Sequence, residues 1–385
     1  MKGSNGHVCP RPKVAVLKTY PETVFEDLYK LMHMAEYEKY VLKDRDTALK
    51  INISWHHFYP ACSTTPWQLE GVIKTLLADG YKGKLIHACH NRTVVVSAKK
   101  GEVANKHKPV IERYGLKNIH LYENEEWITY EPKGKMLVLP DIFPDGIRIP
   151  KRMIGENIIH LPTMKTHVFT TMTGAMKNAF GGLLHERRHW THSVIHETLV
   201  DLLTIQKEIH SGIFAVMDGT FAGDGPGPRC MIPHVKDYIL ASGDQVAIDA
   251  VSAKMMGFDP MSIRFIRLAH EAGLGCGDPA EIEVVGGDVS AVDFGFSASG
   301  NTFASRGQKL IYWGPLKPLE KLLLRTVITP WSYLASIVYH DWYWYPFRGK
   351  KRVKEMMRTP WGELFGQYEH IECENGEIGE REIER

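Results

Sequence analysis

The stretch NIIHLPTMKTHVFTTMTGAMKNAFGG runs from Asn157 to Gly182. Its first six residues are apolar and β-branched enough for a buried strand, and AMKNAFGG behind them has helical spacing. Between the two lies a polar turn carrying Lys165 and His167, then Thr170, Thr171, Thr173 and Gly174. A strand that runs into such a turn and then into a helix is half of a βαβ unit. The same alternation extends outward in both directions. KVAVLK, LKINIS, KLIHAC, NIHLYE, KMLVLP, IFAVMD, DYILAS and EIEVVG read as further strands. TVFEDLYKLMHMAEY, PWQLEGVIKTLLADG, HSVIHETLVDLLTIQKEI, DQVAIDAVSAKMMG and PMSIRFIRLAHEAG place apolar residues at i, i+3, i+4 and i+7. The pattern predicts an α/β fold, a mostly parallel sheet with helices on both faces, and ligands at the carboxyl ends of its strands.

The bounds agree with one large α/β domain and an appendage. The chain has 385 residues, 44% hydrophobic and 24% charged, with a formal charge of +2. That balance gives no push toward nucleic acid. Six scattered cysteines form no CxxC pair, which predicts reduced thiols in a cytoplasmic setting rather than a disulfide framework or a self-contained metal motif. The first residues contain no apolar signal region, and no run of about 18 apolar residues predicts a spanning helix. Boundaries are expected near residues 12–305 for the α/β domain, 306–368 for a helical extension, and 369–385 for a mobile acidic tail.

The turn after NIIHLP suits an anion. Hydroxyls and a glycine ahead of a helix cap it and leave backbone N–H groups pointing outward. Lys165 and Lys177 beside that terminus suit a carboxylate or phosphate, although the same residues also suit a solvated basic turn. His167 is the candidate proton carrier, because imidazole titrates near neutral pH. His185, His189 and His192 would share a face on an α-helix. HERRH, residues 185–189, matches the letters of HExxH, but its arginine and glycine flanks cannot bury a zincin helix, so a protease reading is set aside. His185 and His189 stay as candidate ligands for a divalent metal.

Two further constellations follow. In GIFAVMDGTFAGDGPGPR, Asp218 ends a buried strand and Gly223, Gly225 and Gly227 can bring backbone N–H groups close to a ligand. Asp218 there is a candidate base or metal ligand, or simply the cap of a glycine-rich turn. In ASGDQVAIDAVSAKMMG, Asp244 reads as an N-cap, and Asp249 sits on an otherwise apolar helix where it needs a partner. A lysine from the 165–177 stretch is the expected one. Cys276, in GLGCGDP, has flexible flanks but no neighbouring histidine, and reads as an incidental cysteine.

Taken together, NIIHLPTMKTHVFTTMTGAMKNAFGG, MDGTFAGDGPGPR, ILASGDQVAIDAVSAKMMGFDP and AHEAGLGCGDPAEIEVVG, with LKINISWHHFYPACSTTPWQLEGVIKTLLADGY upstream, resemble the domain-of-unknown-function 362 family over about residues 12 to 290. The resemblance implies an α/β domain and carries over Lys50, Asn52, Lys165, His167, Lys177, Asn178, Asp218 and Asp249. Many members carry a ferredoxin-like segment. This chain has no clustered cysteines after residue 290, so no intrinsic iron–sulfur cluster is expected.

From Arg306 to Arg358 eleven Lys or Arg face three acids, a net +8, among many aromatics. Such a segment suits helices packed on the domain, a contact between copies of the chain, or docking at the inner face of a membrane. The expectation is packing, with Trp331, Trp342 and Trp344 at least partly covered. Two functions follow from the whole. The first is an enzyme acting on a small anionic substrate, metal-assisted or redox-linked, with His167, Asp218 and Asp249 as catalytic groups and Lys50, Asn52, Lys165, Lys177, Asn178, Gly223 and Gly225 binding substrate. The second is a non-catalytic protein that holds an anionic cofactor or metabolite.

Overall fold

The computed structural model describes residues 11–326 and 329–368; the acidic tail expected at 369–385 lies outside them. Twelve strands occur in the order β1 (Lys13–Lys18), β2 (Thr47–Ile51), β3 (Ile86–His90), β4 (Lys117–His120), β5 (Trp127–Tyr130) and β6 (Ile147–Pro150), followed by β7 (Asn157–Leu161), β8 (Thr163–His167), β9 (Thr171–Met172), β10 (Gly212–Asp224), β11 (Ile232–Ser242) and β12 (Glu283–Gly286). The main sheet runs β12-β1-β11-β10-β7-β2-β3-β4, with β8 paired to the far half of β10. The pairs β10–β7, β7–β2, β2–β3 and β3–β4 are parallel, whereas β11 is antiparallel to both β1 and β10. The sheet is thus mixed but mostly parallel, with helices on both faces.

Alternation along each strand feeds two separate cores. Val14, Val16, Ile158, Ala215 and Met217 face one core, under the helices Ile195–Ile209 and Gln245–Met256. Ala15, Ile159, Phe214 and Val216 face the other, under Val24–Met34 and Pro66–Ala78. A period of two with both sets buried is what a sheet covered on both faces requires. Thr65 caps the second of those helices in a capping box with Gln68, and Asp244 caps Gln245–Met256 by accepting from the N–H groups of Val246 and Ala247.

One expected strand is not a strand. Lys135–Pro140 leads into a short helical turn, Leu139–Ile142. The buried Asp201 carboxylate accepts the backbone N–H groups of Leu137, Val138 and Leu139 at 2.7, 2.9 and 2.9 Å, so they are not available to a ladder. The hairpin of β5 and β6 beside it was not expected from the sequence.

The expected boundary at residue 305/306 falls within a helix, Phe303–Tyr312. Beyond it come Glu320–Leu324, Pro330–Ile337, a π-helical stretch Val338–Gly349, Lys350–Met356 and Pro360–Gln367. Trp344, Trp361, Phe365 and Tyr368 enter the second core of the α/β domain. Trp361 packs at 5.1 Å from Trp67 and its indole N–H donates to Asp237 at 2.7 Å. Of the three tryptophans expected to be at least partly covered, Trp344 is 4% exposed, and Trp331 and Trp342 are 47% and 66% exposed.

Candidate functional site

A cavity of about 290 Å³ lies where several strands end. Lys50 near the end of β2, His90 at the end of β3 and His167 at the end of β8 line it, as do Lys177 and Asn178 from the helical turn Ala175–Asn178. The loop Pro226–Arg229 forms one wall, and residues of the helices Phe303–Tyr312 and Pro330–Ile337 form another. Four cationic side chains line it, Lys50, Lys177, Arg188 and Arg229, together with five histidines. No carboxylate is among the described lining residues.

The lysines are unusually situated. Lys50 is buried, and its ammonium donates to the Ile51 carbonyl at 2.6 Å. Burial pushes its pKa down to about 8. The backbone at Gly182 passes so close that a Cβ there would lie 2.6 Å from Lys50 Cε. The Asn178 side chain donates to the Lys50 carbonyl at 2.8 Å, tying the helical turn to β2. Among the described residues the Lys177 ammonium has no hydrogen bond or ion pair; its nearest aromatic neighbour is Phe180, 5.5 Å from the ring centroid. Burial, then Lys165 and Arg188, push Lys177 down to about 7.

Lys165 lies behind the wall. Its ammonium donates to Ser54 Oγ at 3.1 Å and to the Cys62 carbonyl, and burial lowers it to about 8. Asn52 lines the cavity and is held by its backbone N–H, which donates to Thr64 Oγ1 at 2.8 Å. Gly223 and Gly225 stand one layer back, because the Thr166 hydroxyl donates to their carbonyls at 3.3 and 2.8 Å and clamps the loop to β8. The glycine that reaches the cavity is Gly227, where a Cβ would sit 1.9 Å from the Thr166 carbonyl oxygen.

His167 lines the cavity, but its Nδ1 accepts the Phe169 N–H at 3.2 Å. That leaves the proton on Nε2. Burial and the nearby Lys177 hold its pKa well below the ordinary value. The ring is therefore a neutral hydrogen-bond donor at physiological pH rather than the proton carrier expected from its type.

The two aspartates expected in the site are in the protein interior. Asp218 is buried; it accepts the Thr65 hydroxyl at 2.6 Å and the Thr220 N–H at 2.8 Å, and burial raises it to about 6. It thereby braces the cap of the helix Pro66–Ala78. Asp249 accepts the N–H groups of Ala175 and Met176 at 2.6 and 3.1 Å, and burial raises it to about 8. The expected lysine partner is replaced by the amino end of the turn that carries Lys177 and Asn178. Gly174 permits this approach: its φ is +105°, and a Cβ would lie 2.3 Å from Asp249 Oδ1. Neither aspartate lines the cavity.

The expected metal set does not gather either. Residues 186–194 are 3₁₀ rather than α-helical, so positions 185 and 189 fall on different faces. His185 meets Trp127 edge-on, while His189 lines the cavity next to the Tyr333 hydroxyl at 3.2 Å. Among the described residues, the clusters with ligand atoms within 4.8 Å of one another are His56–His57–Asp341, His90–Glu102–His120 and His270–Cys276–Glu281, none including Asp218, His185 or His189. The Cys276 thiol is raised by burial, as suits an unreactive cysteine.

Sequence reasoning missed His90 and Arg229 as lining residues. His90 ends a strand in KLIHACH and Arg229 closes GPGPR, so position at a strand or loop end was an available signal. His192, weighed from the sequence only as sharing a helical face with His185 and His189, lines the cavity and stacks on Tyr312 of the distant helix Phe303–Tyr312.

A family model described as Domain of unknown function (DUF362) matches residues 47–254. A thylakoid-associated protein of Synechocystis sp. is 27% identical over 132 residues, covering 33% of this chain and 41% of that protein. The chain thus matches less than half the length of that relative. No solved structure matches the chain.

Proposed function

The chain belongs to the domain-of-unknown-function 362 family, and from that premise we propose an enzyme that takes a small carboxylate- or phosphate-bearing substrate into the strand-end cavity. The observation that carries this reading is a lining with Lys50, Lys177 and Arg229 and no carboxylate among the described residues. Cations withdrawn wholly, as Lys50 is, or partly, as Lys177 and Arg229 are, without counter-charges are costly, and an anionic ligand would remove that cost. Lys50 and Arg229 would hold the anionic group, and His167 would donate from Nε2. Lys177 is the group suited to proton transfer, since its value near 7 leaves both protonation states populated at neutral pH.

Titration calorimetry with inorganic phosphate and pyrophosphate at pH 8 tests it. Binding should come with proton uptake, because a bound anion raises Lys177, and Lys177→Met should weaken it about 100-fold, about 2.7 kcal/mol. Unchanged affinity in that variant would remove Lys177 from the site and the proposal with it. A chain that binds these anions but turns over no anionic metabolite would support the non-catalytic reading instead.

A separate observation supports a position at a membrane surface. No helix among the described residues is long and apolar enough to cross a bilayer. Yet twelve of the twenty-one exposed large hydrophobic residues fall between Phe303 and Phe347, including Trp313, Trp331, Trp342 and Phe347. Eight basic residues between Arg306 and Arg358 are exposed against one acid, Glu355. Exposed aromatics beside unpaired positive charge fit the headgroup region of an anionic bilayer, at about 1 kcal/mol per basic residue near the surface. The name of the Synechocystis relative, a thylakoid-associated protein, points the same way. Co-sedimentation with anionic vesicles should be strong at low salt and weak at high salt. A stable dimer indifferent to vesicles would assign the face to a second copy of the chain.

A further inference from the structure

Beside the cavity, two adjacent parallel strands end in histidines. His90 and His120 are register partners at the carboxyl ends of β3 and β4, with ring centroids 4.7 Å apart. The helix Ala98–Ala104, which follows β3, brings Glu102 over both. A single carboxylate oxygen, Glu102 Oε2, lies 2.9 Å from His90 Nε2 and 3.1 Å from His120 Nε2, with the Asn118 amide donating to it at 2.7 Å. His90 and Glu102 are buried.

His120 Nδ1 lies 3.4 Å from Glu123 Oε2, and Glu123 is in turn held by Lys99 at 2.8 Å. Both imidazoles thus turn Nε2 toward the one oxygen, Glu102 Oε2, while a second carboxylate stands behind His120. His90 Nδ1 is buried and has no hydrogen-bond partner among the described residues.

We propose that His90 Nε2, His120 Nε2 and Glu102 Oε2 form a binding site for a first-row divalent metal of the zinc type. Two imidazoles and one carboxylate are a ligand set of open zinc sites, which keep one position for water or substrate. Ligand atoms around a tetrahedral zinc stand about 3.3 Å apart, given bonds of about 2.0–2.1 Å; Glu102 Oε2 stands 2.9 and 3.1 Å from the two imidazoles, and all three atoms lie within 4.8 Å of one another. Glu123 behind His120 is the outer carboxylate that orients a metal-bound imidazole. A dication would also neutralise a buried carboxylate whose partners, two imidazoles and an amide, bring it no permanent positive charge. His90 belongs both to this triad and to the cavity wall, so the open position would adjoin the anion site.

The other two clusters are less suited. In His56–His57–Asp341 none of the three residues is fully buried, and in His270–Cys276–Glu281 the His270 Nδ1 accepts the Gly277 N–H at 3.1 Å.

The test uses the full chain, stripped with a chelator, then titrated with cobalt(II) and back-titrated with zinc(II), with no anion added. One equivalent of cobalt per chain, with the visible bands of four- or five-coordinate cobalt and displacement by zinc, is the expected result. His120→Ala should lose the bands while keeping its circular dichroism, since its side chain is partly exposed and outside both cores. Glu123→Ala should weaken binding about 10–100-fold. Absence of stoichiometric cobalt in the unmodified chain would overturn the proposal. Bands of equal strength in His120→Ala would overturn it too, by placing the metal elsewhere. Neither result depends on the anion cavity, which the phosphate titrations read independently.

Discussion

The strand-end cavity and the helical extension depart from ordinary burial in opposite directions. In the cavity, Lys50 and Lys177 are pushed down to about 8 and 7 by burial. In the extension, Trp342 and Phe347 stand 66% and 74% exposed while basic residues surround them. Each arrangement costs free energy in the isolated chain, and the proposed partners, an anion in one case and an apolar, anionic surface in the other, would relieve it. Core aspartates show the contrast. Asp218 and Asp249 are fully buried, yet two or more donors satisfy each of them from within the chain.

This contrast can be broken most forcefully inside the extension. Trp344→Ala should destabilise the fold by about 3–5 kcal/mol, measured by urea unfolding, because Trp344 packs on Trp55 and Tyr59. A loss below 1 kcal/mol would mean that the extension does not share the domain's core. Next comes Asp249→Ala, which orphans two buried N–H groups at about 1–3 kcal/mol each. If Asp249 is architectural, cobalt binding and phosphate affinity at a temperature where the variant stays folded should survive the change.

Lys177→Met should act the other way, stabilising the unliganded protein by about 1–4 kcal/mol as a buried cation without a counter-charge is removed. The pH dependence sharpens this. Lys177 in the folded chain sits near 7, below the ordinary 10.5, so between those values the unfolded chain holds a proton the folded one has released. Stability therefore rises with pH across that window, and the slope should be smaller in Lys177→Met. An equal slope in both proteins would show that Lys177 is an ordinary solvated lysine. The smallest expected effect on stability is Trp342→Ala, within about 0.5 kcal/mol. The same variant, combined with Phe347→Ala, should clearly reduce sedimentation with anionic vesicles. Retained vesicle binding would move the docking face elsewhere.

Local pattern carried the helices well. The five amphipathic segments form where their spacing places them, and the caps at Thr65 and Asp244 obey short-range hydrogen-bond chemistry. KMLVLP failed because Asp201, more than sixty residues away, claims three of its N–H groups. Within the site, Lys50, Asn52, His167, Lys177 and Asn178 do line one cavity; the turn after β7 pointed to His167 and Lys177, and the family resemblance supplied Lys50, Asn52 and Asn178. Their chemistry was less legible, since His167 became a neutral donor only through Phe169 and its own burial.

Alternation of strand and helix, set by side-chain period alone, determined the architecture of this protein and the edge of the sheet where polar residues collect. Which of those residues face the cavity was decided by contacts that no local window contains. Asp249 turned to the amino end of a helical turn 74 residues before it, and His90, Glu102 and His120 met only because two strands pair in register beneath a helix. The aromatics of the extension were divided between core and surface by the shape of the domain beneath them. The reason is physical. Period and propensity are properties of a segment, whereas burial, protonation and pairing depend on what the rest of the chain brings to within about 3 to 4 Å.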